Sequence, residues 1–240
     1  ELGGGAVRVL RREGHPRPVG GECPALGRTK KDAPAAPWVC HQTHLDERRH
    51  TGCIVCGASW LRQLGRYYSA HQMVKCGGCG MVFMERIPTP KELDEHYAQY
   101  SYASDRSVPV ATVASYQTLL DKFEAYRSTE RILDVGCGRG WFLEQARDRG
   151  WEVFGTEFSS TALALCREKG IDIKKGALNS KDFDLSDFDV ITSFEVIEHV
   201  NNPNDEINQV VELLRKGGLF YCTTPNFDSI QRRVQREKDC

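Results

Sequence analysis

Arg131-Ile-Leu-Asp-Val-Gly-Cys-Gly-Arg-Gly140 is the stretch that decides the fold. Its apolar run, Ile132, Leu133 and Val135, reads as a buried strand. Three glycines at alternate positions follow, Gly136, Gly138 and Gly140, and then a helical pattern in which Trp141, Phe142, Leu143 and Ala146 are apolar. Strand, glycine turn and helix together build a ligand crevice at the carboxyl edge of an α/β sheet. Glycine suits such a turn because a side chain would hold the backbone away from a ligand. A dinucleotide fingerprint needs its third glycine where Trp141 stands, and a phosphate-cradling P-loop needs a closing Gly-Lys-Ser/Thr that is absent.

The elements downstream agree with a doubly wound sheet. Trp151–Glu157 predicts a second strand ending in an acid, and Glu157 lies 21 positions after Gly136, about where a carboxylate meets ribose hydroxyls in such folds. A helix capped by Ser159 or Ser160 and stopped at Gly170 follows. Ile171–Ile173 and Phe188–Phe194 predict the third and fourth strands. An amphipathic helix spans Pro203–Arg215, Lys216-Gly-Gly218 ends it, and Leu219–Thr223 predicts a fifth strand. Strands alternating with helices of this length imply a mainly parallel, Rossmann-like α/β sheet.

Asp-x-Gly-x-Gly-x-Gly at Asp134–Gly140 resembles motif I of class I S-adenosylmethionine (SAM) methyltransferases. Phe188–Val200 with Leu214–Gly218 is similar to the broad bacterial family related to quinone-biosynthesis O-methyltransferases, and the resemblance covers roughly residues 129–226. It implies SAM as cofactor, held by Asp134, Gly136, Cys137, Gly138, Gly140, Glu157 and Phe194, with Leu178 and Asn179 at the adenine. Cys137 reads as a small space-filler in the turn rather than a nucleophile. The resemblance also implies a small-molecule or glycan-type acceptor, methylated at a hydroxyl; the alternatives are an RNA methyltransferase that uses the zinc ribbon to hold RNA, and a SAM-binding module that does not catalyse. Glu195-Val-Ile-Glu-His199 would face that acceptor. Glu195, Glu198 and His199 have three readings: ligands of magnesium or manganese, a His199 general base, or pocket structure. Class I cores of this kind have seven strands. Five are counted before the helical tail Gln231–Cys240, so the core reads as truncated at its C-terminus, with the fifth strand an uncovered edge.

Ahead of this core stand Cys53-Ile-Val-Cys56-Gly57 and Cys76-Gly-Gly-Cys79-Gly80, separated by 19 residues. Paired Cys-x-x-Cys at this spacing is a strong signal for a structural zinc held by four thiolates. The glycine after each second cysteine permits the tight turn that aims amides at sulfur. Such a ribbon, followed by Ile87-Pro-Thr-Pro90 and a helix bearing Tyr97 and Tyr100, resembles the module preceding this core in many bacterial enzymes. Trp60, Tyr67 and Tyr68 read as its small core rather than as a base-stacking platform.

The predicted organisation is a disordered leader over 1–50, a zinc ribbon and following helix over 51–100, a linker or cofactor-covering helix over 101–128, and the SAM-binding core over 129–240. The leader reading rests on five of the ten prolines falling there with few periodic apolar residues. A net charge of -1 argues against a nucleic-acid partner, and no apolar run reaches membrane-spanning length. Cysteines paired at metal-ligand spacing rather than as a disulfide framework favour a reducing, cytoplasmic setting.

Overall fold

The computed structural model describes residues 8–11, 39–40, 48–89, 91–93, 95, 107–184 and 186–227. Among these the strands are β1 (Arg8–Arg11), β2 (Val39–Cys40), β3 (Trp60–Gln63), β4 (Met73–Cys76), β5 (Val82–Met84), β6 (Arg131–Val135), β7 (Glu152–Glu157), β8 (Asp172–Lys175), β9 (Phe188–Phe194) and β10 (Leu214–Thr223). The helices are α1 (Gly65–His71), α2 (Val110–Phe123), α3 (Trp141–Asp148), α4 (Ser160–Glu168) and α5 (Pro203–Leu213). Two compact units emerge: Glu1–Glu13 with Leu93–Val200 and Asp205–Cys240, and Gly14–Glu92 with Asn201–Asn204. No helix among the described residues is long and apolar enough to cross a membrane.

The first unit holds a six-stranded sheet in the order β1-β10-β9-β6-β7-β8. Its five later strands run parallel, as the alternating strand and helix pattern required. In sequence order they stand 3-2-1-4-5, so the order reverses between β6 and β9, which places a ligand crevice at their carboxyl ends. Alternation along each strand sends side chains to two faces. Ile132, Val153, Ile173, Val190 and Leu219 pack under α2, α3 and α4 through Leu120, Phe123, Phe142, Leu143, Leu163 and Cys166. Leu133, Val135, Phe154, Ile191 and Phe220 face the other way, onto Val210 and Leu213 of α5. Each such aliphatic or aromatic side chain, fully buried, stabilises the fold by roughly 1.5–3 kcal/mol. Ser159 is the cap of α4: its Oγ accepts from the Ala162 amide at 3.4 Å.

Asp189 locks the opposite end of the sheet. Its Oδ2 accepts from the amides of Ser128, Thr129 and Glu130 at 2.7–2.8 Å, and its Oδ1 from Arg215 Nε at 2.5 Å. A fully buried carboxylate needs that many donors to offset its desolvation.

Three sequence expectations are corrected here. The helix predicted over Pro203–Arg215 ends at Leu213, because Leu214 already pairs with Phe188 of β9 and a register shift bridges to Leu219. The edge of the fifth strand is covered: β1 pairs antiparallel with it, Arg8 opposite Cys222 and Arg11 opposite Leu219. A strand edge presents unpaired amides and carbonyls, and a short N-terminal segment satisfies them here. The stretch 1–50, expected to be disordered, therefore supplies β1 to this sheet and β2 to the other. Its remaining residues before Arg48, the Tyr97–Tyr100 helix and the Gln231–Cys240 tail lie outside the described residues.

The second unit is a four-stranded antiparallel sheet, β2-β3-β4-β5. Leu61, Val74 and Phe83 form its small core with Cys53 and Cys76, and Tyr68 packs against them. The Tyr68 hydroxyl donates to Glu85 Oε2 at 2.8 Å, and Arg49 Nη1 reaches the same oxygen at 2.7 Å, so the buried Glu85 carboxylate is paired.

Candidate functional site

The crevice is built around the turn after β6. Gly136, Gly138 and Gly140 all have positive φ, 65°, 54° and 70°, a region costly for residues with a Cβ. Two of the three are also crowded by the protein itself. A Cβ on Gly136 would stand 2.7 Å from Val196 Cγ2, and one on Gly140 would stand 2.6 Å from Ile171 Cδ1. The reason for glycine at these two positions is thus the chain's own packing, in addition to the close ligand approach expected from sequence. Gly155 in β7 has the same character: a Cβ there would lie 2.9 Å from Cys137 Sγ. Cys137 fills the space above Gly155, and its sulfur lies 4.0 Å from that of Cys166.

Glu157 ends β7 and is 6% exposed. Its Oε2 accepts from the Gly138 amide at 2.9 Å, and its Oε1 accepts from the amides of Phe158 and Ser159 at 2.8 Å each. One carboxylate thereby ties the glycine turn to the start of α4. Sequence spacing had placed this acid at the cofactor, but not its hold on the turn.

Asp134, one residue inside the end of β6, is 3% exposed. The Thr192 hydroxyl of β9 donates to its Oδ1 at 2.7 Å, across the strand pair where the sheet order reverses. Burial drives its pKa from 3.8 up to about 7. The Thr192 hydrogen bond works against that rise and the nearby Glu157 charge adds to it. A buried carboxyl poised near neutrality responds strongly to an incoming cation.

Phe194 closes β9 and packs edge-on against Phe142 at 5.1 Å, so it faces the α2 and α3 side of the turn. Leu178 is buried with Phe154, Phe183 and Phe188 in the core. Asn179 is exposed, and its Oδ1 caps a short 3₁₀ turn at Lys181. These two belong structurally to the loop after β8.

Glu195, Glu198 and His199 follow β9, and all three are exposed. Glu195 has φ of 54°, unusual for a residue with a side chain, while its amide donates to the Thr223 carbonyl at 3.0 Å. Partial burial raises the Glu198 carboxyl above its ordinary range; of the opposing influences the largest is its own backbone, ahead of the His199 charge. Among the described residues, the cluster arranged to hold a metal is Cys53, Cys56, Cys76 and Cys79.

The cysteine cluster does fit zinc. The four sulfurs lie within 4.8 Å of one another, as the corners of a tetrahedron with zinc–sulfur bonds of about 2.3 Å would. The two halves match. Gly57 N donates to Cys53 O at 2.9 Å and Gly80 N to Cys76 O at 3.1 Å, and both glycines have positive φ. The amides of Val55 and Gly78 point at the sulfurs of Cys53 and Cys76, at 3.5 and 3.2 Å. None of the four forms a disulfide.

Sequence reasoning missed Thr156, Thr192 and Glu206. The first two are buried hydroxyls that brace the turn from neighbouring strands, Thr156 through the Gly136 amide at 3.3 Å. Glu206 occupies a core-facing position of α5, one turn before Val210, and its buried Oε1 has no hydrogen-bond partner among the described residues. The only sequence signal was a carboxylate within an apolar helical stripe.

The sequence profile of a family described as a methyltransferase domain matches residues 102–238. A ubiquinone biosynthesis O-methyltransferase from Azoarcus sp. is 32% identical over 104 residues, which is 40% of this chain and 45% of that protein. The enzyme of the same name from Glaesserella parasuis is 32% identical over 108 residues, 40% of this chain and 46% of its own length. The chain thus spans about half the length of the curated relatives it matches. Among solved structures, a SAM-bound amino pentose methyltransferase from Micromonospora echinaspora superposes with a TM-score of 0.43 at 25% identity, over 53% of this chain and 61% of that one.

Proposed function

We propose, from the premise that this chain belongs to the methyltransferase-domain family, that it methylates a hydroxyl of a small-molecule or sugar-type acceptor with SAM as donor. The observation that carries the proposal is the three-glycine turn at the reversal point of the sheet, with Glu157 buried beside it at the end of the neighbouring strand. SAM, when bound, supplies a methyl group on a sulfonium already reactive enough for displacement at carbon.

The chain's own residues then bind and align. The backbone of Gly136–Gly140 receives the cofactor without side-chain obstruction. Glu157 offers its carboxylate to ribose hydroxyls, and Asp134 its carboxylate to the cationic amino-acid end. Phe194 excludes water beside them. His199 stands on the acceptor side of the crevice and is able to take a proton from a hydroxyl. Alignment and desolvation of the acceptor supply most of the rate enhancement. The separate cysteine unit holds one structural zinc, which leaves no coordination position for a catalytic water.

Transfer of a tritiated methyl group from SAM to fractionated cell extract tests the reading. Label in small, RNase-resistant material supports it. Label confined to RNase-sensitive material, or none in any fraction while SAM still binds, refutes it.

A further inference from the structure

Two thiols meet at the glycine turn. The Cys137 sulfur lies 4.0 Å from the Cys166 sulfur, although the two residues are 29 positions apart in sequence. Cys137 belongs to the turn after β6, where its amide donates to the Thr156 carbonyl at 3.0 Å and its carbonyl accepts from the Gly140 amide at 2.9 Å. Cys166 lies near the C-terminal end of α4, on the buried face of that helix. Its carbonyl accepts from the Ile171 amide at 3.1 Å. Both backbones are thus held by other bonds, and it is the fold that brings the sulfurs together.

The pair is asymmetric. Cys137 is partly exposed, whereas Cys166 is buried and its Sγ donates to the Gly138 carbonyl at 3.3 Å. The hydrogen bond with Cys137 holds the Cys166 thiol below its ordinary range against the effect of burial, and the Lys169 charge adds to this. The same contact, with burial, pushes the Cys137 thiol up. Cys137 is therefore the sulfur a small oxidant reaches, and Cys166 is the better attacking sulfur. Each sulfur is seated over a glycine. A Cβ on Gly155 would stand 2.9 Å from Cys137 Sγ, and one on Gly140 would stand 3.0 Å from Cys166 Sγ. A disulfide bond is about 2.05 Å long, so joining the two closes a gap of about 2 Å in a packed interior that transmits strain to its neighbours. It also removes the thiol donor from the Gly138 carbonyl.

We propose that Cys137 and Cys166 form an oxidative modification site, at which hydrogen peroxide joins them in a disulfide that distorts the Gly136–Gly140 turn and weakens cofactor binding. Oxygen goes first to the Cys137 sulfur: the peroxide O–O bond breaks, Cys137 becomes a sulfenic acid and one water leaves. The Cys166 sulfur then attacks the Cys137 sulfur. The S–O bond breaks, the departing hydroxide takes the Cys166 proton to become a second water, and the S–S bond forms. The two thiols lose two electrons and the peroxide gains them. The effect on binding rests on SAM being the cofactor; the disulfide itself does not. Where thiols are otherwise kept reduced, a bond of this kind acts as a reversible switch rather than as a structural staple.

The test takes the whole zinc-loaded chain, reduced and then treated with increasing hydrogen peroxide. Free thiols are blocked, the chain is digested and linked peptides are identified by mass spectrometry, while a chromogenic chelator reports any zinc released. A peptide pair joined through Cys137 and Cys166 should appear before zinc is lost. Calorimetric affinity for S-adenosylhomocysteine (SAH) should fall about tenfold or more as the linked pair accumulates, and both changes should reverse with dithiothreitol. Cys166→Ser keeps a donor for the Gly138 carbonyl but has no sulfur to close the bond, so its SAH affinity should not respond to peroxide. Cys137 and Cys166 remaining free while other thiols oxidise overturns the proposal. A linked pair with unchanged SAH affinity overturns it too, as does a Cys166→Ser chain that responds like the wild type. Should that variant fail to fold, the wild type alone decides, since loss of affinity that tracks zinc release rather than the linked pair also counts against the switch. A reduced wild-type chain that binds no SAH refutes the cofactor reading instead, and the linked peptide then decides the disulfide by itself.

Discussion

Replacing Asp134 with Asn should make the empty protein more stable at neutral pH and a poorer binder. Asp134 is buried with one hydroxyl donor, and its pKa stands near 7 against 3.8 for an ordinary aspartate. A folded-state pKa raised in this way means the folded chain holds its proton more tightly than the unfolded chain. The stability this gives is complete below about pH 4 and is lost as the pH climbs to about 7. A gap of about three pH units corresponds to roughly 4 kcal/mol across that interval. Asn keeps the shape, and its Oδ1 still accepts from Thr192, but it has no proton to lose. In urea titrations from pH 4 to 8, followed by the fluorescence of Trp141 and Trp151, wild type and variant should coincide near pH 4. They should then diverge by as much as about 4 kcal/mol at pH 8, the variant being the more stable. Any acid loss of zinc is common to both chains and cancels in the difference. SAH affinity should run the other way: it rises with pH through 7 in the wild type, as the carboxylate forms to meet a cation, and is weaker and flat in Asp134→Asn. Parallel stability curves, or a variant less stable than wild type at pH 8, would refute the account of Asp134 as an ionisable group held back for a ligand.

Gly136→Ala combines a positive φ with a Cβ 2.7 Å from Val196, so thermal unfolding should show a loss of about 1–3 kcal/mol. Adding Val196→Ala should recover part of it, and no recovery would mean the crowding is not what requires glycine. Glu157→Gln leaves one of the three amide donors facing an NH2 group. SAH affinity should fall at least tenfold and the melting temperature by a few degrees; an unchanged value for both would remove Glu157 from the site. Native mass spectrometry should find one zinc per chain, and chelation should raise hydrogen exchange over residues 48–86 while residues 131–223 keep their protection. A metal-free chain with the same protection contradicts the zinc assignment. If His199 is the base, His199→Ala should lower the methyl-transfer rate by roughly a hundredfold or more while SAH affinity stays at the wild-type value, and a variant with full activity excludes the role.

The sequence by itself determined the elements of the core. Apolar runs of strand length, glycines at turn positions and amphipathic helical stripes are local signals, and they located β6, β7, β9 and α4 closely. They also marked the parallel, doubly wound class of the sheet and the positions of the glycine turn, Glu157 and the four cysteines. These features depend on residues near in sequence, where periodicity and steric preference act directly. Tertiary structure decided what depends on distant segments meeting. Nothing in Arg8–Arg11 marks it as the partner of β10; an open strand edge selects it. Leu214 leaves the helix pattern of α5 because Phe188, 26 residues earlier, offers a ladder position. Asp134 is an ordinary acid in the sequence. Its carboxyl is poised near neutrality only because burial removes water from it and leaves the Thr192 hydroxyl as its donor. Desolvation and long-range pairing are properties of the folded surroundings, which local pattern does not encode.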